Sequence, residues 1–299
     1  MLRTIDYVLD ELRFAYQYRV YLRWQTHRNR PNQELTRLDA NTLGALVTHQ
    51  SIHVLECESG SQDVRTLVSL QPDDAVAACE GKIKGQAAKW LRERSGERFS
   101  RGYFACTSGQ STAEQVDAYL ASQGEHHGYA DRPRPPVYVA TFKANPDEET
   151  RLQSPHARTL LRFHVVLATW RRRGVFGADA GTAITRAWRD LEQGSRFALL
   201  KVSFVPDHVH LALRVHPVVP PGPLVVALMN AAQVLIWRDF ADDAIQARVE
   251  RLWQPSAYVG SYGDLATPQV GAYLRRWRES HESDGHGRHP VAPNFRRRT

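Results

Sequence analysis

The sequence has few cysteines and no long apolar run. Its three cysteines, Cys57, Cys79 and Cys106, are an odd number and lack the paired spacing of a disulfide framework or a zinc site. No stretch of 18 or more consecutive apolar residues occurs, so no segment is typical of a membrane span. The first residues contain acidic side chains and no apolar core of the kind that a secretory signal has. We therefore expect a protein of the reducing cytosol with no membrane partner.

The charge of the sequence is strongly positive. The 299 residues carry a formal net charge of +7, and the sequence pI is about 9.5. Arginine dominates the basic residues, and its guanidinium group pairs well with phosphate. Nucleic acid is therefore the expected partner, although a generally basic composition without a polyanionic partner would give the same charge.

The order of predicted elements in the first half recurs in the second. Each half has a strand with a basic turn, a helix, two strands, a long helix, a short strand and a last helix. Trp24 matches Trp170, each before a basic turn, and Tyr119 matches Tyr273 in the last helices. The pattern predicts a tandem duplication of one α+β unit. The predicted parts are a first domain over 1–130, a linker over 131–158, a second domain over 159–280 and a basic tail over 281–299.

Two histidines occur one residue apart in the apolar stretch "SFVPDHVHLAL". On a strand, His208 and His210 would point to the same face, while Val209 and Leu211 would point to the other. Two imidazoles on one face can bind one metal ion. The pattern alone is weak, because about half of one such pair is expected by chance among 13 histidines in 299 residues. Two structural histidines remain the alternative interpretation from the pattern itself.

The stretch "VPDHVHLALRVHP" resembles the single-tyrosine HUH transposases, which serve insertion sequences that move as single-stranded DNA, and the REP-associated tyrosine transposases. The resemblance extends from about residue 160 to 277 and also includes "LWQPSAYVGSYG" before a tyrosine-bearing helix. In the first half, "SRGYFACTSGQSTAEQVDAYLASQGEHHGY" resembles the nucleophile region of the same family. The resemblance implies two tandem ferredoxin-like (RRM-like) HUH domains. Each would be an antiparallel sheet with helices packed on it, and together they would form an intramolecular pseudo-dimer.

In this family, a divalent ion, Mg²⁺ or Mn²⁺, is bound by the two histidines and by a glutamine four residues after the nucleophilic tyrosine. The first half has the tyrosine and glutamine, as Tyr119 and Gln123, on a helix for which Ser111 and Glu114 predict a capping box. At the places of its histidines it has Asp63 and Arg65, and an arginine cannot bind a metal.

The second half has the opposite loss. It keeps His208 and His210, but Trp277 occupies the place of the glutamine after Tyr273, which makes Tyr273 a doubtful nucleophile. Together the halves hold one complete set, so we predict a single composite site with Tyr119 as nucleophile. The same Tyr-x-x-x-Gln spacing at Tyr21 is set aside because its place in the repeat is wrong.

The resemblance implies an enzyme that cleaves single-stranded DNA through a 5′-phosphotyrosine intermediate and rejoins it. Its substrate would be hairpins at the ends of elements or repeats, in the bacterial cytoplasm at the nucleoid. A fused monomer is expected, and a homodimer of fused chains remains open. The alternative is a catalytically inactive or domesticated hairpin-binding protein derived from a transposase.

Basic residues beside tryptophans suit contact with a DNA backbone and its bases, and lysines on the long helix of the first half are further candidates. The predicted DNA-binding residues are Trp24, Arg28, Arg30, Lys82, Lys84, Trp170, Arg171, Arg172 and Arg173. For each of them, a solvated basic surface is the alternative. Asp207 is expected to form a turn, with orientation of a metal-binding histidine as the alternative role.

Overall fold

A computed structural model describes residues 6–122, 138–143, 146–264, 266–270 and 272. The first half contains β1 (Arg13–Gln17), β2 (Arg19–Gln25), α1 (Ala40–Val47), β3 (His53–Ser59), β4 (Asp63–Ser69), α2 (Val76–Ser95), β5 (Tyr103–Ser108) and α3 (Ala113–Ala121). The second half contains β6 (Tyr138–Thr141), α4 (Pro146–Arg151), β7 (Ala157–Ala168), α5 (Ala178–Gln193), β8 (Phe197–Val205), β9 (His208–Val215), α6 (Pro221–Asp239), α7 (Ala241–Gln246) and β10 (Ser256–Tyr262).

The two halves repeat one antiparallel arrangement. The first half has the strand order β3-β4-β2-β5, and the second has β8-β9-β7-β10. Counted from β2 in the first half and from β7 in the second, both orders are 2-3-1-4, which is the ferredoxin-like order of strands. The α+β fold class and the tandem ferredoxin-like units expected from the sequence are therefore confirmed. One difference concerns the predicted linker, because β6 lies inside it and pairs antiparallel with β8.

The halves join edge to edge into one sheet through two parallel strand pairs. β5 pairs with β7, and β1 pairs with β10. In each half, a backbone N–H donates to a side-chain hydroxyl of the other half: Arg19 N donates to Ser261 Oγ over 2.8 Å, and Arg162 N donates to Thr107 Oγ1 over 2.8 Å. Gly109 is required here, because a Cβ atom at this residue would lie 1.9 Å from the carbonyl oxygen of Ser261.

The main core lies between one face of the sheet and helices α1, α2, α5 and α6. Two buried tryptophans donate hydrogen bonds to α6. Trp188 Nε1, on α5, donates to Leu228 O over 2.8 Å, and Trp253 Nε1, in the segment before β10, donates to Met229 O over 3.2 Å. The other face of the sheet carries two small apolar clusters, and each combines residues of both halves. Among the described residues, no helix has the length and apolar character that crossing a bilayer requires.

Candidate active site

The strand β9 places both histidines of the pair on the sheet face away from the main core. Val209 and Leu211 are fully buried in the core, and the alternation of the strand turns His208 and His210 the other way. The two imidazole centroids are 4.9 Å apart. Both rings are almost completely buried, with 3% and 4% of their surfaces exposed. The predicted sharing of one face is confirmed.

The Nδ1 atom of each histidine in the pair has a polar partner. His208 Nδ1 is 2.7 Å from Asp207 Oδ1, and His210 Nδ1 is 3.0 Å from His164 Nε2 on the neighbouring strand β7. Contacts of this kind fix the tautomer and ring orientation of a histidine that binds metal through its other nitrogen. In a metal-bound form, Nε2 of each ring would thus be the ligand atom.

Asp207 links this pair to the basic turn after β7. Its Oδ2 forms an ion pair with Arg172 Nε over 2.9 Å, and its Oδ1 faces Nδ1 of His208. Burial would raise the pKa of Asp207, but the hydrogen bond to His208 and the charge of Arg172 bring it below its usual value. The backbone oxygen of Asp207 also accepts from Thr169 N, so the residue both shapes the turn and contacts the histidine. The expectation that it only forms a turn was incomplete.

Helix α3 begins one residue later than the sequence pattern suggested. Thr112 is the N-cap, and the capping box is made by Thr112 with Gln115, in place of Ser111 with Glu114. The shift has a local cause, because Thr112 forms a bridge to Gly263 and Ala113 N donates to the carbonyl oxygen of Gly263. The helix therefore starts against the second half of the chain.

The second half also holds the rest of α3. Lys201 Nζ, on β8, donates to the backbone oxygen of Asp117 over 2.8 Å. Val116 and Leu120 pack with Ala212 and Tyr262 of the second half in one of the small clusters. A helix encoded in the first half thus lies on the sheet of the second.

This placement brings Tyr119 to the histidines. Its ring centroid lies 5.3 Å from that of His210 and 6.1 Å from that of His164. Tyr119 is 37% exposed, so a substrate can reach a side chain that also contacts the buried imidazoles. The structure therefore places Tyr119 of the first half against His210 of the second, and His208 lies next to His210.

Three residues of the predicted set, Gln123, Tyr273 and Trp277, lie outside the described residues. Within the described part of the chain, no group of three or more His, Cys, Asp and Glu side chains is arranged to hold a metal ion. The predicted set has only two such side chains, and its third protein ligand is the amide of Gln123.

The corresponding place in the first half holds an ion cluster. Asp63 pairs with Gln25 and Arg65 with Arg23, in the register by which His208 pairs with Ala168 and His210 with Val166. Asp63 Oδ2 accepts from Arg23 Nε over 2.7 Å and from Arg65 Nη2 over 2.9 Å. Guanidinium groups have no lone pair for a metal, and here two of them bind the carboxylate of Asp63.

Tyr21 takes the place that His164 has in the second half. It pairs with Leu67 on β4, as His164 pairs with Ala212 on β9. Tyr21 is 4% exposed and packs with Leu67, Cys106 and Val270. Its Tyr-x-x-x-Gln spacing therefore belongs to a packed strand residue, as the repeat had indicated.

The basic turns of the two halves have the same backbone. Thr26 and Thr169 begin them, and the hydroxyls of these threonines donate to Arg30 O and Arg173 O. Each turn has two consecutive residues with positive φ, at 28–29 and at 171–172, a conformation that costs about 1 kcal/mol or more for each non-glycine residue. Arg28, Arg30, Arg171, Arg172 and Arg173 are all exposed at these turns.

Two predicted DNA-binding residues have structural roles. Trp24 is 1% exposed and packs edge-on to Phe99, so it cannot stack on a base. Lys84 donates to the backbone oxygens of Arg101 and Gly102, each over 3.0 Å, and pairs with Glu80. Lys82 on the same helix is exposed.

Trp170 differs from Trp24 in its place at the turn. Trp24 lies two residues before the threonine that begins its turn, whereas Trp170 directly follows the equivalent threonine. It is half-buried, and two guanidinium groups lie near its ring, with Arg171 Cζ 5.8 Å and Arg251 Cζ 5.3 Å from the ring centroid. Arg251 was missed in the sequence, since only the fold brings it to the turn. His164 was also missed, although its alternation in "RFHVVLATW" places it on the same sheet face as the histidine pair.

A family model described as "Transposase IS200 like" matches residues 13–123 and 157–276. These two matches include more than half of the sequence, so the chain belongs to the IS200-like transposase family, with the family unit present twice. The predicted family and the tandem repeat are thereby confirmed.

The other comparisons with known proteins add no further family assignment. A comparison with curated proteins finds no match. A similar solved structure is that of a proposed transposase from Deinococcus radiodurans R1. It is 17% identical, the match covers 36% of this chain and 92% of that chain, and the TM-score is 0.28.

Proposed function

We propose that the protein is a metal-dependent enzyme that cleaves and rejoins single-stranded DNA at one composite site. The observation that carries the proposal is the contact between Tyr119 of the first half and His210 of the second, with His208 beside it. An accessible phenol next to two imidazoles on one buried face suits attack on a phosphate that a metal ion also contacts. The family membership supports a DNA substrate.

The donor set fits a divalent ion. The Nδ1 contacts of His208 and His210 leave Nε2 as the coordinating atom of each ring in the bound form. Gln123 would supply an amide oxygen, since it stands four residues after Tyr119 in the sequence, which is the spacing of the family's tyrosine and glutamine. Such a mixed nitrogen and oxygen set suits Mg²⁺ or Mn²⁺. When bound, the ion would offset negative charge on the nonbridging oxygens of the scissile phosphate.

The reaction is then a transfer of the phosphoryl group from a 3′ oxygen of DNA to the Tyr119 oxygen. The Tyr119 oxygen attacks phosphorus and loses its proton to solvent, the bond between phosphorus and the 3′ oxygen breaks, and that oxygen takes up a proton. The products are a 5′-phosphotyrosine and a free 3′-OH. Attack by a 3′-OH on the phosphotyrosine bond reverses these changes, so rejoining needs no nucleotide cofactor.

The proposal implies one cleavage for each fused chain. The ion cluster of Asp63, Arg23 and Arg65 replaces the histidines that Tyr273 would need. Cutting two element ends would then require two chains or two successive cycles. The basic turns supply positive charge for hairpin DNA in both halves, which is consistent with a protein of the bacterial nucleoid.

The first half supports a second candidate function, hairpin binding without cleavage. It keeps the basic turn with its positive-φ residues although the equivalent of the histidine pair is lost. The basic turn of the first half can therefore bind DNA without a histidine pair beside it, and binding alone could be the function of the whole chain if Tyr119 were inert.

A covalent-adduct assay separates the two candidates. The full chain is incubated with labelled single-stranded hairpin DNA and Mn²⁺, and a denaturant-stable adduct is measured. We expect an adduct with the wild type and with Tyr273→Phe, and none with Tyr119→Phe. Loss with Tyr273→Phe alone would refute the composite assignment. DNA binding without any adduct across a panel of hairpins would favour the binding function.

A further inference from the structure

His164 is a residue of the site that neither the repeat nor the histidine pair indicates. It lies on β7, where it pairs with Ala212, one strand away from His210. The rings of His164 and His210 are nearly parallel, at 18°, and their Nε2 and Nδ1 atoms are 3.0 Å apart. This distance is that of a hydrogen bond between two imidazoles.

The direction of this hydrogen bond is fixed when His210 binds a metal. A ring that coordinates through Nε2 carries its proton on Nδ1, so Nδ1 of His210 must donate. Nε2 of His164 must then accept, which requires the His164 tautomer with its proton on Nδ1. His164 therefore plays toward His210 the part that Asp207 plays toward His208.

A comparison of the two halves supports the same role. At the place of His164 the first half has Tyr21, whose ring packs among Leu67, Cys106 and Val270. That half also lacks the histidine pair. The accepting imidazole is thus found only in the half that has a metal-binding histidine to orient, whereas a role in sheet packing alone would be served equally by an aromatic ring in both halves.

We propose that His164 is a positioning residue that accepts the Nδ1 proton of His210 and so fixes Nε2 of His210 for the divalent ion. The proposal rests on the proposed function, because it assumes that the histidine pair binds Mg²⁺ or Mn²⁺. His164 itself does not contact the metal. Its effect is on the tautomer and orientation of the His210 ring.

The test is Mn²⁺ binding to the full chain by titration calorimetry, with the thermal midpoint of each metal-free variant measured beside it. His164→Phe keeps a ring and removes the acceptor, while His164→Gln keeps an acceptor near the position of Nε2. We expect Mn²⁺ affinity to fall about 10- to 100-fold in His164→Phe, the range typical for loss of such an outer contact. His164→Gln should recover most of that loss.

Three controls make the result specific. Tyr21→Phe changes the matching position of the first half and should leave Mn²⁺ affinity unchanged. His208→Ala/His210→Ala gives the background from histidines elsewhere in the chain. His164→Leu replaces His164→Phe if the latter shows a lowered thermal midpoint.

Wild-type affinity in His164→Phe would overturn the inference, and so would an equal loss in the Gln and Phe variants, which would attribute the effect to ring packing. Absence of Mn²⁺ binding above background in the wild type would instead refute the proposed function, so the two failures are distinguishable.

Discussion

Tyr119 and His210 come from different halves of one chain, and their ring centroids lie 5.3 Å apart in an edge-on contact. Each half alone has an incomplete set of chemical groups. The contact exists because α3 leaves the first half beside the junction and packs on the second, where Gly263, Lys201 and Tyr262 hold it. The fused sheet thus determines which side chains meet.

Asp207 gives the first prediction. Asp207→Asn removes the negative charge that faces His208 and pairs with Arg172. We expect Mn²⁺ affinity to fall about tenfold, because a carboxylate raises the basicity of the imidazole more than an amide does. Titration calorimetry at neutral pH measures the change.

Asp63→Asn is the matched control for this variant. It removes a carboxylate from the ion cluster of the first half, where Arg23 and Arg65 would lose their common partner. Breaking a buried ion pair costs about 3 kcal/mol, so the thermal midpoint should fall while Mn²⁺ affinity stays unchanged. Equal Mn²⁺ affinities in the wild type and Asp207→Asn would show that the carboxylate does not support the ligand.

The second prediction concerns Trp170, whose ring lies near the guanidinium groups of Arg171 and Arg251 at the turn after β7. Stacking of one base on an aromatic ring contributes about 1–3 kcal/mol. Trp170→Ala should therefore weaken binding of single-stranded DNA about tenfold, measured by fluorescence anisotropy at fixed salt. The control Trp24→Phe changes a buried ring, so it should lower the thermal midpoint and leave DNA affinity unchanged. If Trp170→Ala binds DNA as well as the wild type, the turn does not contact the bases.

The sequence was sufficient for the parts of the site that follow a local rule. Strand alternation predicted the common face of His208 and His210. The resemblance to the family, together with the complementary losses in the two halves, predicted that Tyr119 would meet them. The turns were aligned wrongly on Trp24 and Trp170, because identical residues were matched. The hydrogen bonds of Thr26 and Thr169 show that the true register differs by three residues.

Contacts between distant segments could not be predicted in this way. His164 and His210 are 46 residues apart, and their hydrogen bond depends on the register of β7 with β9. Arg251 reaches Trp170 from a turn after α7. Lys84 was predicted to bind DNA because it is a basic residue on a helix, but its ammonium group donates to two backbone oxygens of a neighbouring loop.

The third prediction tests whether the junction positions the nucleophile. In Gly109→Ala, the new methyl group would lie 1.9 Å from Ser261 O, so the junction strands must separate. Overpacking of this kind costs about 1–3 kcal/mol. We expect a lower thermal midpoint and, because α3 begins at this junction, a larger loss of covalent DNA adduct than the lost stability explains.

Gly44→Ala is the comparison, since a Cβ atom at Gly44 in α1 meets nothing within 4 Å. It should raise stability by up to about 1 kcal/mol through helix propensity and leave adduct formation unchanged. Full adduct formation by a destabilised Gly109→Ala protein would mean that α3 keeps its place without the close junction.

The fourth prediction concerns His216. Burial and the nearby charge of Arg196 bring its pKa below the usual value, although a backbone hydrogen bond partly opposes them. Its ring is held as a neutral imidazole: Nε2 lies 3.1 Å from Gln153 O, and Nδ1 accepts from Val218 N over 3.3 Å. Protonation of Nδ1 would break the second bond.

Because the unfolded chain takes up this proton more readily, the free energy of unfolding should fall as the pH is lowered from about 6.5, the ordinary histidine pKa. Urea unfolding of the wild type and His216→Gln at pH 7 and pH 5 measures this, and we expect the variant to lose about 1 kcal/mol at pH 7 and to show a smaller drop between the two pH values. An identical drop in both proteins would assign the pH dependence to other groups.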